Sequence, residues 1–258
     1  MRDPGLAEAF SSVGGVTELA RRLGIAQPSV SNWTRVPAER VAAVERETGI
    51  PRSRLRPDLF AEDQVTCDVD EIDIARAQEY TLLATLLMRA PAPAFLKRIA
   101  NLRVDPSPLG LLHGQLAEAA DRISAEDIEQ EFFNLFIGVG RGELLPYASY
   151  YLTGFLHERP LAKLRADLAA IGIERAEDVY EPEDHIAIIF EVMARLAKGG
   201  LSAPNGSDRM VFEKHLQPWA GRFFSDLEGA KSANFYRRIG SLGRAFMEIE
   251  AEAFALAR

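Results

Sequence analysis

The chain has 258 residues, 47% of them hydrophobic and 26% charged, with a net charge of −8; this is enough apolar content for one large core or two smaller ones. No run of about 18 uncharged apolar residues occurs, so no membrane insertion is expected, and the opening MRDPGLAEAF lacks the apolar centre of an export signal. Cys67 is the single cysteine, which excludes an intrachain disulfide framework and a multi-cysteine metal site; taken together these features predict a cytoplasmic protein.

The charge is divided unevenly. Residues 1–60 hold nine arginines, no lysine and seven carboxylates, a net +2, whereas residues 61–258 carry a net −10. An acidic large region disfavours broad binding to a phosphate backbone and suits a basic peptide better.

In chain order, the first organised segment is VTELARRLGIAQPSVSNW, residues 16–33. Ala20 is small where two helices cross closely, and Gly24 stands four residues on, where a left-handed turn residue costs least. Leu19, Leu23, Val30 and Trp33 supply the core between the two helices. The second helix then turns Gln27, Ser29, Ser31 and Asn32 outward, side chains suited to base edges and phosphates, with Arg35 and Arg40 placed for phosphate contacts. The segment resembles the short Cro/YdaS-like helix-turn-helix domains, and the likeness runs through VPAERVAAVERETGIPRSRLRPDLF to cover about residues 5–60. That resemblance implies DNA binding through residues 16–40, with a homodimer as the form that reads DNA best. The competing role is a docking or dimerisation unit, and Pro28 is compatible with either.

An acidic stretch, residues 61–73, follows and reads as a linker; Pro57 discourages helix continuation into it. From Ile74 to 258 the pattern is helical throughout. Ile74, Ala77, Leu82 and Leu86 mark a long helix stopped by Pro91 and Pro93. Ser124 and Asp127 approximate a capping box ahead of a helix with Phe132, Leu135 and Phe136 on its buried stripe. Pro160 opens a helix that Gly172 closes. A further helix is predicted over 183–196, ended by Gly199 and Gly200. The last, about 233–255, presents Phe235, Ile239, Leu242, Phe246 and Ile249 to a core. No alternating β segments occur, so the fold expected is all-α: a small helix-turn-helix domain (1–60), a linker (61–73) and a helical bundle (74–258).

Five segments of the large region, taken in order, resemble the TorD/DmsD family. They are the helix with Tyr80, Leu83 and Leu87; EFFNLFIG; LPYASYYLTG; YEPEDHIAIIFEVMARL; and FEKHLQPWAGRFFSDLEGAKSANFYRRIG. The resemblance implies a TorD-like helical bundle acting as a cytoplasmic chaperone for molybdenum oxidoreductases. Its expected partners are the apo catalytic subunit and that subunit's twin-arginine signal peptide, bound before cofactor insertion and export. The binding residues it implies are Pro146, Tyr147, Ser149 and Tyr150 from one loop and Glu181, Glu183, Asp184 and His185 from an acidic turn. The chemistry of these residues agrees: a carboxylate at a helix start meets free backbone donors and pairs with arginine, His185 adds a hydrogen bond or a pH-dependent charge, and tyrosines give apolar rims with hydroxyls.

Structural roles compete with these. Pro146 and Pro182 shape loops, Tyr150 has the character of a core residue, and Asp184 that of a helix cap. His113 and His157 stand isolated and read as structural or exposed; His215 and Trp219, four apart, read as packing. Enzyme chemistry finds no support: no GxxxxGK cradle is present, the GVGRG at 138–142 lacks a βαβ setting, and the four histidines are scattered. No cofactor or metal is expected, although some members of the family bind guanine nucleotides. The alternative function is a DNA-binding regulator that senses a ligand or client through its large domain. Which molybdoenzyme is the client (a dimethyl-sulfoxide-type reductase, a formate dehydrogenase or a relative) is open at this stage.

Overall fold

Proline and glycine punctuate the helices from one end of the chain to the other. The computed structural model describes residues 3–50, 52–59, 71–102, 104–175, 180–201 and 203–256. Contacts divide the chain into two units, Met1–Asp68 and Val69–Arg258.

In the first unit, Asp3 caps α1 (Pro4–Val13) by accepting from the Gly5 N–H at 3.0 Å. Next come α2 (Val16–Leu23), α3 (Gln27–Ser31), α4 (Val41–Thr48) and the short α5 (Arg52–Leu55). Leu6, Phe10, Leu19, Ala20, Val30, Val44 and Leu55 form its core, with Leu23 and Trp33 packed at the edge. Gly24 ends α2 in the left-handed region, φ 65°, and its N–H returns to the Ala20 carbonyl, so the chain turns at once into α3. Arg56 is buried; it donates to the Val36 carbonyl at 2.6 Å and grips Asp58 with two hydrogen bonds of 2.8 Å.

The second unit contains α6 (Glu71–Met88), α7 (Pro93–Ala100), α8 (Pro108–Arg122), α9 (Ala125–Phe132), α10 (Ala148–Thr153), α11 (Arg159–Ala170), α12 (Ile186–Ala197), α13 (Ser207–Val211), α14 (Ala220–Gly229) and α15 (Phe235–Leu256). Helix α6 packs on α12, and α15 lies between α14 and α8. Tyr80, Phe190, Phe212, Trp219, Phe223, Phe224 and Tyr236 fill the space between them. Ser124 accepts from the Asp127 N–H and donates to the Asp127 carboxylate, completing the capping box. The ring of Phe224 lies where a Cβ on Gly243 would sit, so glycine there lets α14 and α15 approach. The described residues are helical apart from turns and one isolated bridge, Tyr147 to His185.

Several expectations shift in detail. The linker predicted over 61–73 lies outside the described residues as far as Asp70, as does Cys67, and Glu71–Asp73 already form the first turn of α6. Ile74 and Ile249 are exposed rather than on core stripes. The reason at Ile249 is local: its helical neighbour Glu250 is the residue turned inward. Glu250 is 1% exposed, holds Arg76 through contacts of 2.7 and 2.9 Å, and accepts from the Tyr80 hydroxyl at 2.8 Å. Asp73 also accepts from Arg76 at 2.8 Å, and the guanidinium lies over the Phe254 ring. Removing one member of a buried pair strands the other charge. Glu250→Ala is therefore expected to lower unfolding stability in urea by about 3–5 kcal/mol. A loss below about 1 kcal/mol would instead place the pair among solvated surface bridges.

Candidate functional site

Residues 146–149 and 181–186 face each other across a short antiparallel bridge. The Ala148 N–H donates to the Asp184 carbonyl, and the Ile186 N–H to the Pro146 carbonyl, each at 2.9 Å. Pro146 is buried beneath this bridge. Helix α12 begins at Ile186, later than the predicted 183, and His185 is its N-cap: Nδ1 accepts from the Ala187 N–H at 3.2 Å. Asp184 therefore does not sit in the first turn of its own helix. Its Oδ2 reaches across the bridge and accepts from the Ser149 N–H at 2.8 Å, in the first turn of α10. The expected carboxylate–helix interaction exists, but with a helix from the other segment.

The remaining polar atoms of this pair are unusual. Asp184 is 1% exposed and Ser149 is fully buried. Neither Asp184 Oδ1 nor Ser149 Oγ has a hydrogen-bond partner. Both residues line a cavity of about 120 Å³ together with Tyr147, Leu156, His157 and Pro182. His157 holds a left-handed backbone, φ 59°, the single non-glycine residue to do so among those described; this conformation is uncommon for a residue with a side chain. Leu156 in the lining is itself exposed, and so are Leu152 and Phe155 nearby in the chain, Phe155 at 71%. Tyr147 stands at the edge: its ring meets His185 edge-on at 5.0 Å and its hydroxyl donates to Glu181 at 2.8 Å. Burial, reinforced by Glu181, pushes the Tyr147 hydroxyl pKa up, so it remains a donor.

Two predicted site residues point elsewhere. Tyr150 receives a hydrogen bond from Arg141, whose guanidinium also lies over its ring, and it lines a separate cleft with Tyr151, Arg222 and Asp226. It follows Ser149 on a helix, so the two side chains diverge by about 100°. Glu183 is engaged by Arg165 at 2.7 and 2.9 Å. Burial alone would raise its carboxyl pKa, but the hydrogen bonds from Arg165 and the charge of Arg175 hold it below the ordinary range. Glu183 is thus part of the scaffold. Conversely, Leu156 and His157 were not anticipated as lining residues; GFLHERP has no periodicity that marks it, and only the left-handed turn at His157 brings it to the cavity. The other histidines are paired: His113 with Glu79 and His215 with Asp167, each at 2.8 Å, while Trp219 donates to the His215 carbonyl.

In the first unit, Gln27, Ser29 and Asn32 are exposed on or just after α3, and Ser31 is half-buried. Arg40 is exposed, while Arg35 pairs with Asp58 at 3.3 Å. Arg21 and Arg22 both pair with Glu18, and Arg54 with Glu8. Among the described residues no three His, Cys, Asp or Glu side chains converge as a metal site, and no helix is long and apolar enough to cross a membrane.

Comparison with known proteins adds identity to this geometry. Residues 103–225 match the family described as nitrate reductase delta subunit, and residues 6–64 the family described as bacterial toxin YdaS. The chaperone protein TorD of Shewanella loihica is 26% identical over 211 residues, covering 78% of this chain and 90% of its own. The TorD of Vibrio cholerae is 26% identical over 195 residues, covering 67% and 89%. The large unit is thus similar to TorD chaperones over most of their length. A crystal structure from Archaeoglobus fulgidus, of a protein assigned to redox enzyme maturation, aligns with a TM-score of 0.47 and 17% identity over 67% of this chain and 93% of that one. In this unit the acidic turn and the proline-tyrosine loop are joined by the Asp184 carboxylate, and the small first unit is helix-turn-helix-like.

The His185 cap carries a pH signature. Burial depresses its pKa from the ordinary 6.5 to about 4, outweighing the opposing pull of Glu181 and Asp184. A histidine whose folded-state pKa is lowered binds its proton more readily when unfolded, so its contribution is intact above the unfolded pKa and is lost as pH falls through the folded one. Protonation also converts Nδ1 from acceptor to donor and breaks the cap. Between pH 6.5 and about 4 this group should remove about 3 kcal/mol of stability. Denaturant unfolding across that range should show a shallower acid slope for His185→Gln than for the wild type; parallel slopes would refute the assignment.

Proposed function

We propose that the Asp184 cavity and its apolar rim dock the signal segment of an immature molybdenum-cofactor oxidoreductase, so that the chain serves as that enzyme's maturation chaperone in the cytoplasm. One observation carries this reading. Asp184 and Ser149, each with a buried oxygen that has no hydrogen-bond partner, line a cavity together with the exposed Leu156, and Leu152 and Phe155 beside it in the chain are exposed too. Acceptors beside an apolar surface match a peptide that joins basic residues to an apolar, helix-prone stretch, as a twin-arginine signal does. The net charge of −10 over residues 61–258 favours approach of such a peptide. Similarity to the TorD chaperones of Shewanella loihica and Vibrio cholerae supports the same role. The work assigned is binding, with no cofactor and no covalent step: immature client is held in preference to mature client, which delays export until the cofactor is in place.

A second reading, a client-responsive DNA-binding regulator, draws on the first unit. Gln27, Ser29 and Asn32 are free to face a groove, at the end of a helix pair set by Gly24. Set against it, Arg21, Arg22, Arg35, Arg54 and Arg56 are each matched by a carboxylate of the same unit, which weakens the phosphate contacts that dominate DNA affinity.

Affinity capture of the intact protein from its native cells, with identification of bound proteins and DNA, separates these readings. Asp184→Ala is expected to lower client capture tenfold or more while the protein stays folded, because the cap it removes is worth about 0.5–2 kcal/mol. Deleting residues 1–68 is expected to leave client capture intact. Discrete DNA sites without an enriched molybdoenzyme precursor would move the protein to the regulator class.

A further inference from the structure

We infer that Glu79 and His113 form a pH-sensitive latch, which holds α8 against α6 and keeps the apolar faces of both helices covered. Glu79 lies on α6 and is 6% exposed. His113, on α8, brings its Nε2 to within 2.8 Å of Glu79 Oε2. The other oxygen, Oε1, is buried without a hydrogen-bond partner. A buried carboxylate is costly unless it is paired and hydrogen-bonded, so Glu79 depends on this one histidine. The contact sits at the margin of the core. The face of α6 that carries Glu79 continues in Leu83 and Leu87, and the face of α8 that carries His113 continues in Leu116 and Ala120, all of them buried in one cluster. The broad contacts of α8 are with α7 and α15, and the Glu79 to His113 hydrogen bond is what ties it to α6.

The surroundings of His113 favour its protonated form. The charged groups that act on it are both carboxylates, Glu79 from α6 and Asp105 from the segment ahead of α8. Asp105 can lie against the first turn of α8 because residue 110 is glycine; a Cβ there would run into the Asp105 backbone and side chain. The Asp105 carboxylate is fixed in turn by the Ser107 N–H at 2.8 Å. Arg98 of α7 lies over the Phe95 ring and Arg238 of α15 donates to Gln115, so each of these cations has another partner. The hydrogen bond to Glu79, outweighing the cost of burial, raises the His113 pKa above the ordinary 6.5. A group raised in this way gives stability that is fully present below its unfolded pKa and is lost as pH climbs through the folded one. The latch is therefore closed at about pH 6 and releases as pH rises above 6.5. Neutral His113 can still donate from Nε2, but the buried Glu79 carboxylate then lacks its counter-charge, the situation that destabilises a broken buried pair. Release loosens α8 and uncovers Leu116 and the α6 face beneath the latch.

Hydrogen–deuterium exchange of the full-length protein at about pH 6 and about pH 8.5 tests the latch, with every amide corrected for its intrinsic exchange rate. Amides of α8 around Leu116 to Ala120 should lose protection about fivefold or more at the higher pH, relative to those of α14, which carries no part of the latch. The His113 ring, followed by NMR, should titrate above pH 6.5. Glu79→Gln keeps a hydrogen-bonding group and removes the charge, so α8 should be equally protected at both pH values. His113→Gln should show at both values the low protection that the wild type reaches at the higher one. An equal pH response of α8 and α14 in the wild type overturns the inference, as does a His113 ring that titrates at or below pH 6.5. Should His113→Gln fail to fold, Glu79→Gln decides alone: if its α8 still loosens as the wild type does, the latch is wrong. None of the latch residues lines the Asp184 cavity, so neither result bears on the docking reading.

Discussion

The carboxylate of Asp184 is divided between two duties, and the candidate site exists because of that division. One oxygen is spent on architecture: it holds the Ser149 N–H at the start of α10 and so locks the proline-tyrosine loop to the acidic turn. The other oxygen has no partner, in a residue that lines the cavity. A residue used wholly as a cap would leave nothing for a ligand, and one used wholly for binding would leave the two segments joined only by a pair of backbone hydrogen bonds. The His185 cap and the Tyr147 to Glu181 contact extend the same seam on either side.

Such a site is costly to the fold. An unpaired buried polar group costs about 1–3 kcal/mol, and a left-handed non-glycine residue such as His157 adds strain of about 1–3 kcal/mol. The compensation lies deeper in the same unit, in the aromatic core around Tyr80, Phe190, Trp219 and Phe224 and in the Arg76–Glu250–Tyr80 cluster. Rigid surroundings of this kind keep an unsatisfied cavity from collapsing. A binding protein gains from that arrangement, since the interactions missing in the free state are the ones a ligand supplies. The same logic explains why Glu183, held by two hydrogen bonds from Arg165, reads as scaffold although it is adjacent to Asp184 in sequence.

The first unit shows the opposite balance. Its polar groups are largely matched internally: Arg56 is saturated by Asp58 and the Val36 carbonyl, and Glu18 serves two arginines at once. Its net charge of +2 is therefore a poor measure of what it offers a phosphate backbone. What it does present is the polar end of α3, a short and neutral surface, together with the exposed Arg40.

The all-α class, the helix-turn-helix core of Leu19, Ala20 and Val30 and the capping box at Ser124 were all legible in the amino-acid order, because each depends on neighbours within a few residues along the chain. So was the pairing of a proline-tyrosine loop with an Asp-His turn, although through family resemblance and not through spacing. The direction each side chain takes was not legible. Which helix Asp184 caps, where Tyr150 turns, what engages Glu183 and how His157 comes to line the cavity depend on contacts between residues distant in the chain. Helical periodicity cannot see those contacts. The sequence by itself determined the elements and the chemical types available at the site; only the tertiary structure decided which oxygen is used and which is left open, because hydrogen-bond satisfaction is settled by the packing of segments against one another.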